Sequence, residues 1–291
     1  MSKRCLIVVN PISGRSLGRR KAPRLARGLR DRGFDVETVA TRGRGDARRA
    51  VEQVAADGPS AILCVGGDGT LNEVINGLGE TDIPVAVFPA GTGNVLAKEF
   101  GIRPRVAAVC DAIAGGRTMG LTLGEANGRR FGLFVGAGFD AAVVERFEKR
   151  RTGGASKLSY LIPIVKALAA YRFPEMRVTV DGEPAGTASN VLVTNTRSYG
   201  GPFELVPDAD PTDAVFDVCL VSGVRRLDLV RHTWAAFRRR LLDCRDVRRV
   251  RGRRIEIHAD GAVPFQIDGD SLGRGDVSIR MLDTRLSVLV P

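Results

Sequence analysis

The residues best suited to chemistry lie between Gly66 and Leu78, where Gly66, Gly67 and Gly69 surround the carboxylate of Asp68, and Thr70, Leu71 and Asn72 follow. Glycine carries no Cβ, so these positions can take positive φ and let a ligand approach the backbone closely. The apolar run Ala61 to Val65 ahead of them, and the apolar-periodic segment behind, predict strand, tight loop and helix. N–H groups at the start of such a helix favour an anion such as a phosphate. Thr70 and Glu73 also have the spacing of a capping box, and Gly-Asp-Gly is a common turn. Capping accounts for those two residues, but it does not ask for three glycines around one carboxylate.

Two more loops repeat the arrangement. The run Cys5 to Val9 reads as a buried strand and passes into Asn10, Pro11, Ile12, Ser13, Gly14 and Arg15, ahead of a helix expected over Leu17 to Arg32. Ser13 offers a hydroxyl and Arg15 a guanidinium to a phosphate. Pro84 to Phe88 is another short apolar run, followed by the loop Pro89 to Asn94, which contains Gly91, Thr92 and Gly93, and by a helix from Val95 to Phe100. Between the first two loops, Val36 to Ala40 alternates as a strand and Asp46 to Ala56 has helical spacing. The alternation predicts an α/β domain with a parallel, doubly wound sheet. In such sheets the loops after the strand C-termini line one crevice, so the three loops are expected to converge on a nucleotide.

From about Gly120 the pattern changes to short β-branched runs separated by turn signals: Leu121 to Leu123, Arg130 to Val135, Met176 to Val180, Ser189 to Thr194 and Phe216 to Val221. Helical stretches are expected over Lys157 to Tyr171 and, strongly basic, over Arg225 to Arg254. The expected organisation is an α/β N-terminal domain over 1–120 and a β-rich, β-sandwich C-terminal domain over 121–283. The last run, Arg285 to Val290, either closes the second domain or returns to complete the first through residues 284–291.

Composition bounds the function. The chain has 291 residues, 44% of them hydrophobic, and no apolar run approaches the ~20 residues of a membrane span. The apolar run after Lys3 and Arg4 is too short for a signal-peptide core, so a cytoplasmic location is expected. A net charge of +11 points to a polyanionic partner. Nucleic acid is disfavoured by 5% aromatic content and by the lack of a helix-turn-helix or zinc pattern. Five cysteines without short paired spacing read as reduced core residues, and two histidines leave little for a histidine metal site or a serine hydrolase.

The loop at 10–15, the string Gly66 to Leu78 and the loop at 89–94 together resemble the signatures of the diacylglycerol kinase catalytic family, bacterial lipid kinases related also to sphingosine and ceramide kinases. The likeness continues through Gly136 to Asp140, Gly154 to Leu161 and Phe203 to Val218. Gly-Gly-Asp-Gly-Thr alone is shared with NAD kinases; the extension to Leu78 and the Asn-Pro-x-Ser-Gly loop point to lipid kinases.

The resemblance implies ATP-dependent phosphoryl transfer to a hydroxyl of a lipid such as diacylglycerol. It implies ATP contacts at Asn10, Ser13, Gly14, Thr41, Gly66, Gly67, Asp68, Gly69, Thr70, Leu71, Asn72 and Thr92, with Gly91 and Asn94 in the same loop, and Asp68 beside the phosphates and Mg²⁺. In some relatives that Asp is instead proposed as the base. The family's Asp-Gly-Glu, whose last carboxylate takes the acceptor proton, matches Asp268-Gly269-Asp270, with Asp270 one methylene shorter. Asp181-Gly182-Glu183 spells the motif literally but sits where a hairpin turn is expected. A structural Mg²⁺ of some members maps to Asp210, Asp213 and the carbonyl of Val215, with Ala214 where glycine is usual. Val95 stands where many members have aspartate.

A lipid kinase without a span must meet its substrate at a bilayer. Trp234, Phe237, Leu241 and Leu242 beside Arg231, Arg238, Arg239 and Arg240 therefore suggest peripheral docking on the inner membrane surface, against the simpler reading of a solvated helix face. NAD kinase and a non-catalytic nucleotide-binding relative are the alternatives, and the sequence leaves the oligomeric state open.

Overall fold

The computed structural model describes residues 3–14, 16–148, 171–200, 203–222 and 226–291. Arg15, the segment Gly154 to Leu161 and all but the last residue of the helix expected over Lys157 to Tyr171 lie outside the described residues. The chain divides into two compact units, residues 1–123 with 283–291, and residues 124–282.

The first unit runs β1 (Lys3–Val9), α1 (Leu17–Arg30), β2 (Phe34–Ala40), α2 (Asp46–Ala55), β3 (Ala61–Gly66), α3 (Asp68–Gly77), β4 (Val85–Pro89), α4 (Val95–Glu99), α5 (Val106–Gly115) and most of β5 (Thr118–Ala126). The sheet is parallel in the order β2-β1-β3-β4. Every residue of β3 and β4 is buried, which is why these strands read as unbroken apolar runs and not as alternating ones. In α1 the buried Ala22, Leu25, Ala26 and Leu29 recur at helical spacing and face the sheet side. The sequence reading missed α5, whose alanine-rich run carries weak periodicity.

The second unit holds β6 (Arg129–Phe131), β7 (Phe134–Ala137), α6 (Phe139–Glu148), β8 (Met176–Val180), β9 (Glu183–Ala188), β10 (Asn190–Thr194), β11 (Phe216–Val221), α7 (Arg226–Phe237), β12 (Val247–Gly252), β13 (Arg254–Ala259), β14 (Pro264–Ile267), β15 (Asp270–Arg274) and the first part of β16 (Val277–Leu289). One antiparallel sheet has the order β12-β11-β10-β7-β14-β15, and the other joins β16, β13, β8 and β9. Their facing side chains, among them Phe131, Val193, Phe216, Ile255 and Ile279, form one core, so the unit is a β-sandwich. Phe131 stacks on Phe216 with ring centroids 5.3 Å apart. Full burial of each such side chain contributes about 1.5–3 kcal/mol.

The end of β16 lies parallel to β4, Val288 opposite Val85, so the last strand returns to the first unit. The run Arg130 to Val135 is not one strand: it breaks at Gly132 and Leu133, whose N–H groups turn to the Asp268 carboxylate. The expected basic helix over 225–254 is also corrected. α7 stops at Phe237, a short 3-10 turn covers Leu241–Asp243, and the rest enters β12 and the start of β13, where pairing with β11 and β8 overrides helical propensity. Asp181 and Gly182 both have positive φ and close the β8–β9 hairpin, as a two-residue turn requires.

Candidate active-site residues

The three glycine loops of the first unit do converge. Parallel pairing places the C-terminal ends of β1, β3 and β4 side by side, so the loops they feed emerge at the same edge. The Asn10 N–H donates to Val65 O (2.9 Å), and Asn10 Nδ2 donates to Thr70 Oγ1 (3.1 Å). Ser13 Oγ donates to Ala90 O (3.0 Å), and Thr41 N–H donates to Val9 O (2.8 Å). Asn94 closes its own loop, accepting from Gly91 N–H (2.8 Å) and donating to Gly91 O (2.9 Å), while Thr92 is exposed.

The reason for the glycines differs from the expected one. Gly66, Gly67, Gly69 and Gly91 are absent from the positive-φ residues; of the expected contacts, only Gly14 is a positive-φ glycine, at +52°. What they provide is close approach. A Cβ on Gly91 would lie 2.5 Å from Gly67 Cα, one on Gly66 would lie 2.6 Å from the Thr70 side chain, and one on Gly14 would strike Ala90 O. Gly69 has open space around it. Gly91→Ala should therefore destabilise by about 1–3 kcal/mol, because backbone cannot retreat from backbone. Gly69→Ala should melt like the parent; a calorimetric comparison of the two variants checks both.

The capping box is also corrected. α3 begins at Asp68 with Gly67 as its N-cap, and Thr70 lies inside the first turn, accepting from Asn10. Glu73 reaches across to α2, where its carboxylate takes the N–H groups of Gly45 (2.8 Å) and Ala47 (3.0 Å). Asp68 has a structural task as well: Oδ1 accepts the N–H of Val95 (2.8 Å) at the start of α4. The first α3 bond across its N-cap runs from Leu71 N–H to Gly67 O (3.1 Å), so the helix's own ladder begins after its first-turn N–H groups. The side chains of Leu71 and Asn72 are buried in α3.

In the second unit, Asp268 is buried and its carboxylate accepts three backbone N–H groups, from Gly132 (3.1 Å), Leu133 (3.0 Å) and Phe134 (3.0 Å). That is the environment of a loop anchor. Asp270 follows the left-handed pair Asp268 and Gly269, and its Oδ2 lies 2.7 Å from Arg129 Nη2. The guanidinium directs the carboxylate. Arg129 was not singled out from the sequence, where it is one arginine among many.

The turn expected to hold a structural ion is satisfied by protein. Asp210 Oδ1 accepts from Thr212 N–H (2.8 Å) and Oγ1 (2.7 Å), which hold its carboxyl below the usual range. Asp213 accepts from Val215 N–H (3.4 Å) and pairs with Arg251. Arg251 thus competes for the Asp213 carboxylate that the expected cation would share with Asp210 and the carbonyl of Val215. His232, Cys244 and Asp246 place ligand-type atoms within 4.8 Å of one another, a grouping the sequence did not reveal. Arg231, 2.7 Å from Asp246 and 3.4 Å from His232, takes the cation's place there. All five cysteines are free thiols; burial pushes Cys5 and Cys219 up to about 12.

Comparison with known proteins accords with both units. Residues 4–126 match the model of the diacylglycerol kinase catalytic domain, and residues 133–290 match that of the YegS C-terminal NAD kinase beta sandwich-like domain. A diacylglycerol kinase of Mycobacterium tuberculosis is 30% identical over 98% of this chain and 94% of its own length. A diacylglycerol kinase of Bacillus subtilis is 27% identical over 92% and 90%. A crystal structure of a diacylglycerol kinase from Bacillus anthracis superposes with a TM-score of 0.74 at 22% identity, over 100% of this chain and 97% of the other. Two domain matches and near full-length similarity to these kinases make the chain a member of the diacylglycerol kinase catalytic-domain family.

Proposed function

We propose that this protein transfers the γ-phosphoryl group of ATP to a hydroxyl of a lipid such as diacylglycerol. The observation that carries the reading is the edge of the parallel sheet, where Gly14, Gly67 and Gly91 bring three backbone loops together beside the α3 N-terminus and Asp68. Phosphoryl transfer asks protein for positioning and charge neutralisation more than for covalent chemistry. The α3 N–H groups would take phosphate oxygens, and Ser13 and Thr92 supply hydroxyls. A carboxylate next to phosphates needs a cation between them, and Asp68 offers hard oxygen suited to Mg²⁺. Asp270 is the base we assign to the acceptor hydroxyl, its carboxylate held in place by Arg129.

A second reading has one observation behind it: the second unit matches a domain model named for an NAD kinase-like sandwich. Incubation with radiolabelled ATP and separate samples of diacylglycerol, a sphingoid base, total bacterial lipid and NAD discriminates. Label in an organic-extractable product is expected; label in NADP would establish the rival, and ATP binding without any labelled product would make the protein a non-catalytic nucleotide binder.

Peripheral association with a bilayer belongs to the same proposal, in altered form. Among the described residues no helix is long and apolar enough to cross a membrane. Of the basic stretch, Arg231, Arg239, Arg240, Arg249 and Arg251 are ion-paired with Asp228 and Asp246, Glu204, Asp243, Asp208 and Asp217, and Asp213. Beside the exposed Arg231 and Thr233, α7 also presents an apolar stripe: Val230, Trp234 and Phe237 are 60%, 62% and 50% exposed, at helical spacing on one face. Docking should thus depend more on these side chains than on lipid charge. Trp234→Ala with Phe237→Ala is expected to weaken vesicle binding by about 10- to 100-fold, the loss of roughly 1.4–3 kcal/mol of apolar burial. Sedimentation with neutral and anionic vesicles checks it, and undiminished binding by the double variant would remove α7 from the membrane.

A further inference from the structure

The second unit contains a polar chain that the reaction outlined above leaves unused. Asp140, in the first turn of α6, accepts at Oδ2 from Tyr199 Oη (2.8 Å) and from Gln266 Nε2 (3.2 Å). Gln266 is fully buried in β14, and its Oε1 accepts the N–H of Gly269 (2.8 Å). Gly269, with φ +84°, follows Asp268, with φ +49°, in the left-handed turn that delivers Asp270. A carboxamide accepts at one atom and donates at the other, which this position requires: a backbone N–H on one side and a carboxylate on the other.

The surroundings are shaped to the chain. Gly136 lies opposite Gln266 in the β7–β14 pair, and a Cβ there would come 2.7 Å from Gln266 Nε2 and strike the Asp140 carboxylate. The Tyr199 ring packs on Phe134 with centroids 4.5 Å apart. Burial pushes the Tyr199 phenol well above its ordinary value, so it remains a donor, and burial also raises the Asp140 carboxyl against the two hydrogen bonds that lower it. A leucine at 266 would fill the core without these desolvated groups. The polar chain specifies geometry instead, at the cost of leaving Asp140 Oδ1 buried without a hydrogen-bond partner.

We propose that Asp140, Tyr199 and Gln266 are positioning residues: they hold the Gly269 N–H and so fix the direction in which Asp270 presents its carboxylate to the acceptor hydroxyl. The kinetic half of this proposal rests on the lipid kinase reading; the structural half rests on the hydrogen bonds alone.

The test uses the full chain and two readouts, hydrogen exchange of the Gly269 amide by NMR and steady-state kinetics with ATP and dispersed diacylglycerol. Gln266→Met keeps the volume and removes the carboxamide. It should lose Gly269 protection and lower kcat on the order of 10²-fold, as ~1 Å misplacement of a reacting group does, with the KM for ATP unchanged. Asp140→Asn keeps an acceptor oxygen and should retain most of both, whereas Asp140→Ala should not. Tyr199→Phe removes one oxygen atom, so it serves if Gln266→Met fails to fold; it should lower protection and kcat together by a smaller factor. Wild-type protection of Gly269 in Gln266→Met or Tyr199→Phe overturns the proposal, as does a fall in kcat matched by equal changes in KM and melting temperature with Gly269 still protected. If the wild-type chain phosphorylates no lipid, the kinase reading fails, and the exchange data still decide whether the chain holds the turn.

Discussion

Asp68→Asn should leave a folded protein that binds ATP and transfers its phosphoryl group about 10²–10³-fold more slowly, the usual loss when one preorganised charge-stabilising group is removed. Asparagine is the informative change because Oδ1 of Asp68 accepts the Val95 N–H at the start of α4. The amide oxygen can keep that bond while the charge disappears. Alanine removes the bond too and adds a capping loss of about 1 kcal/mol, so it mixes two effects. Melting temperature and ATP affinity measured beside kcat separate them. Near-parental kcat in Asp68→Asn would show that the carboxylate serves α4 alone and would take the glycine loops out of the centre of the proposed reaction.

Asp270→Asn should lower lipid phosphorylation by about 10²–10⁴-fold, the contribution typical of a positioned general base, while ATP affinity stays at its parental value. Its Arg129 partner, 2.7 Å away, can donate to an amide oxygen as it does to the carboxylate, so the loop should survive the change. Arg129→Met is the companion variant: it keeps the Asp270 carboxylate, removes its guanidinium partner and should cost less than the loss of the base itself. Kinetics at saturating ATP over a range of acceptor concentrations checks both. An Asp270→Asn enzyme with unchanged kcat would return the role of base to Asp68. Asp268→Ala, in contrast, removes the acceptor for three backbone N–H groups and is expected to unfold the region, since each buried donor left unpaired costs about 1–3 kcal/mol.

These two residues also mark how far the primary structure could be read. Glycine, hydroxyl and carboxylate at 66–72 are readable because a phosphate-binding turn restricts residue type locally, over a few consecutive positions. Asp268 and Asp270 were not separable in the same way. Both are aspartates two positions apart, and only the fold shows that one faces three N–H groups and the other a guanidinium. Glu73 illustrates the same limit. Its spacing from Thr70 is that of a cap within one helix, yet its carboxylate caps the neighbouring helix, 26 to 28 residues away in sequence.

The basic stretch shows the same limit. Counting arginines over 225–254 gives charge but not partners, and the acids paired with Arg239, Arg249 and Arg251 are Glu204, Asp208, Asp213 and Asp217, earlier in the chain. α7 also exposes an apolar stripe, Val230, Trp234 and Phe237, which helical spacing indicates and burial measures.

By itself, then, the sequence determined the succession of parallel strands, the positions of three backbone loops that could meet a phosphate, and the change to a β-sandwich, because burial on two faces and tight turns leave their mark on neighbouring residues. The tertiary structure decided which glycines are needed for close approach, that Glu73 and Asp268 are anchors, that Gln266 joins Asp140 and Tyr199 to the Asp270 turn, and that the last strand returns to the first unit. Those depend on contacts between residues distant in sequence, where no local pattern records which group a side chain will meet.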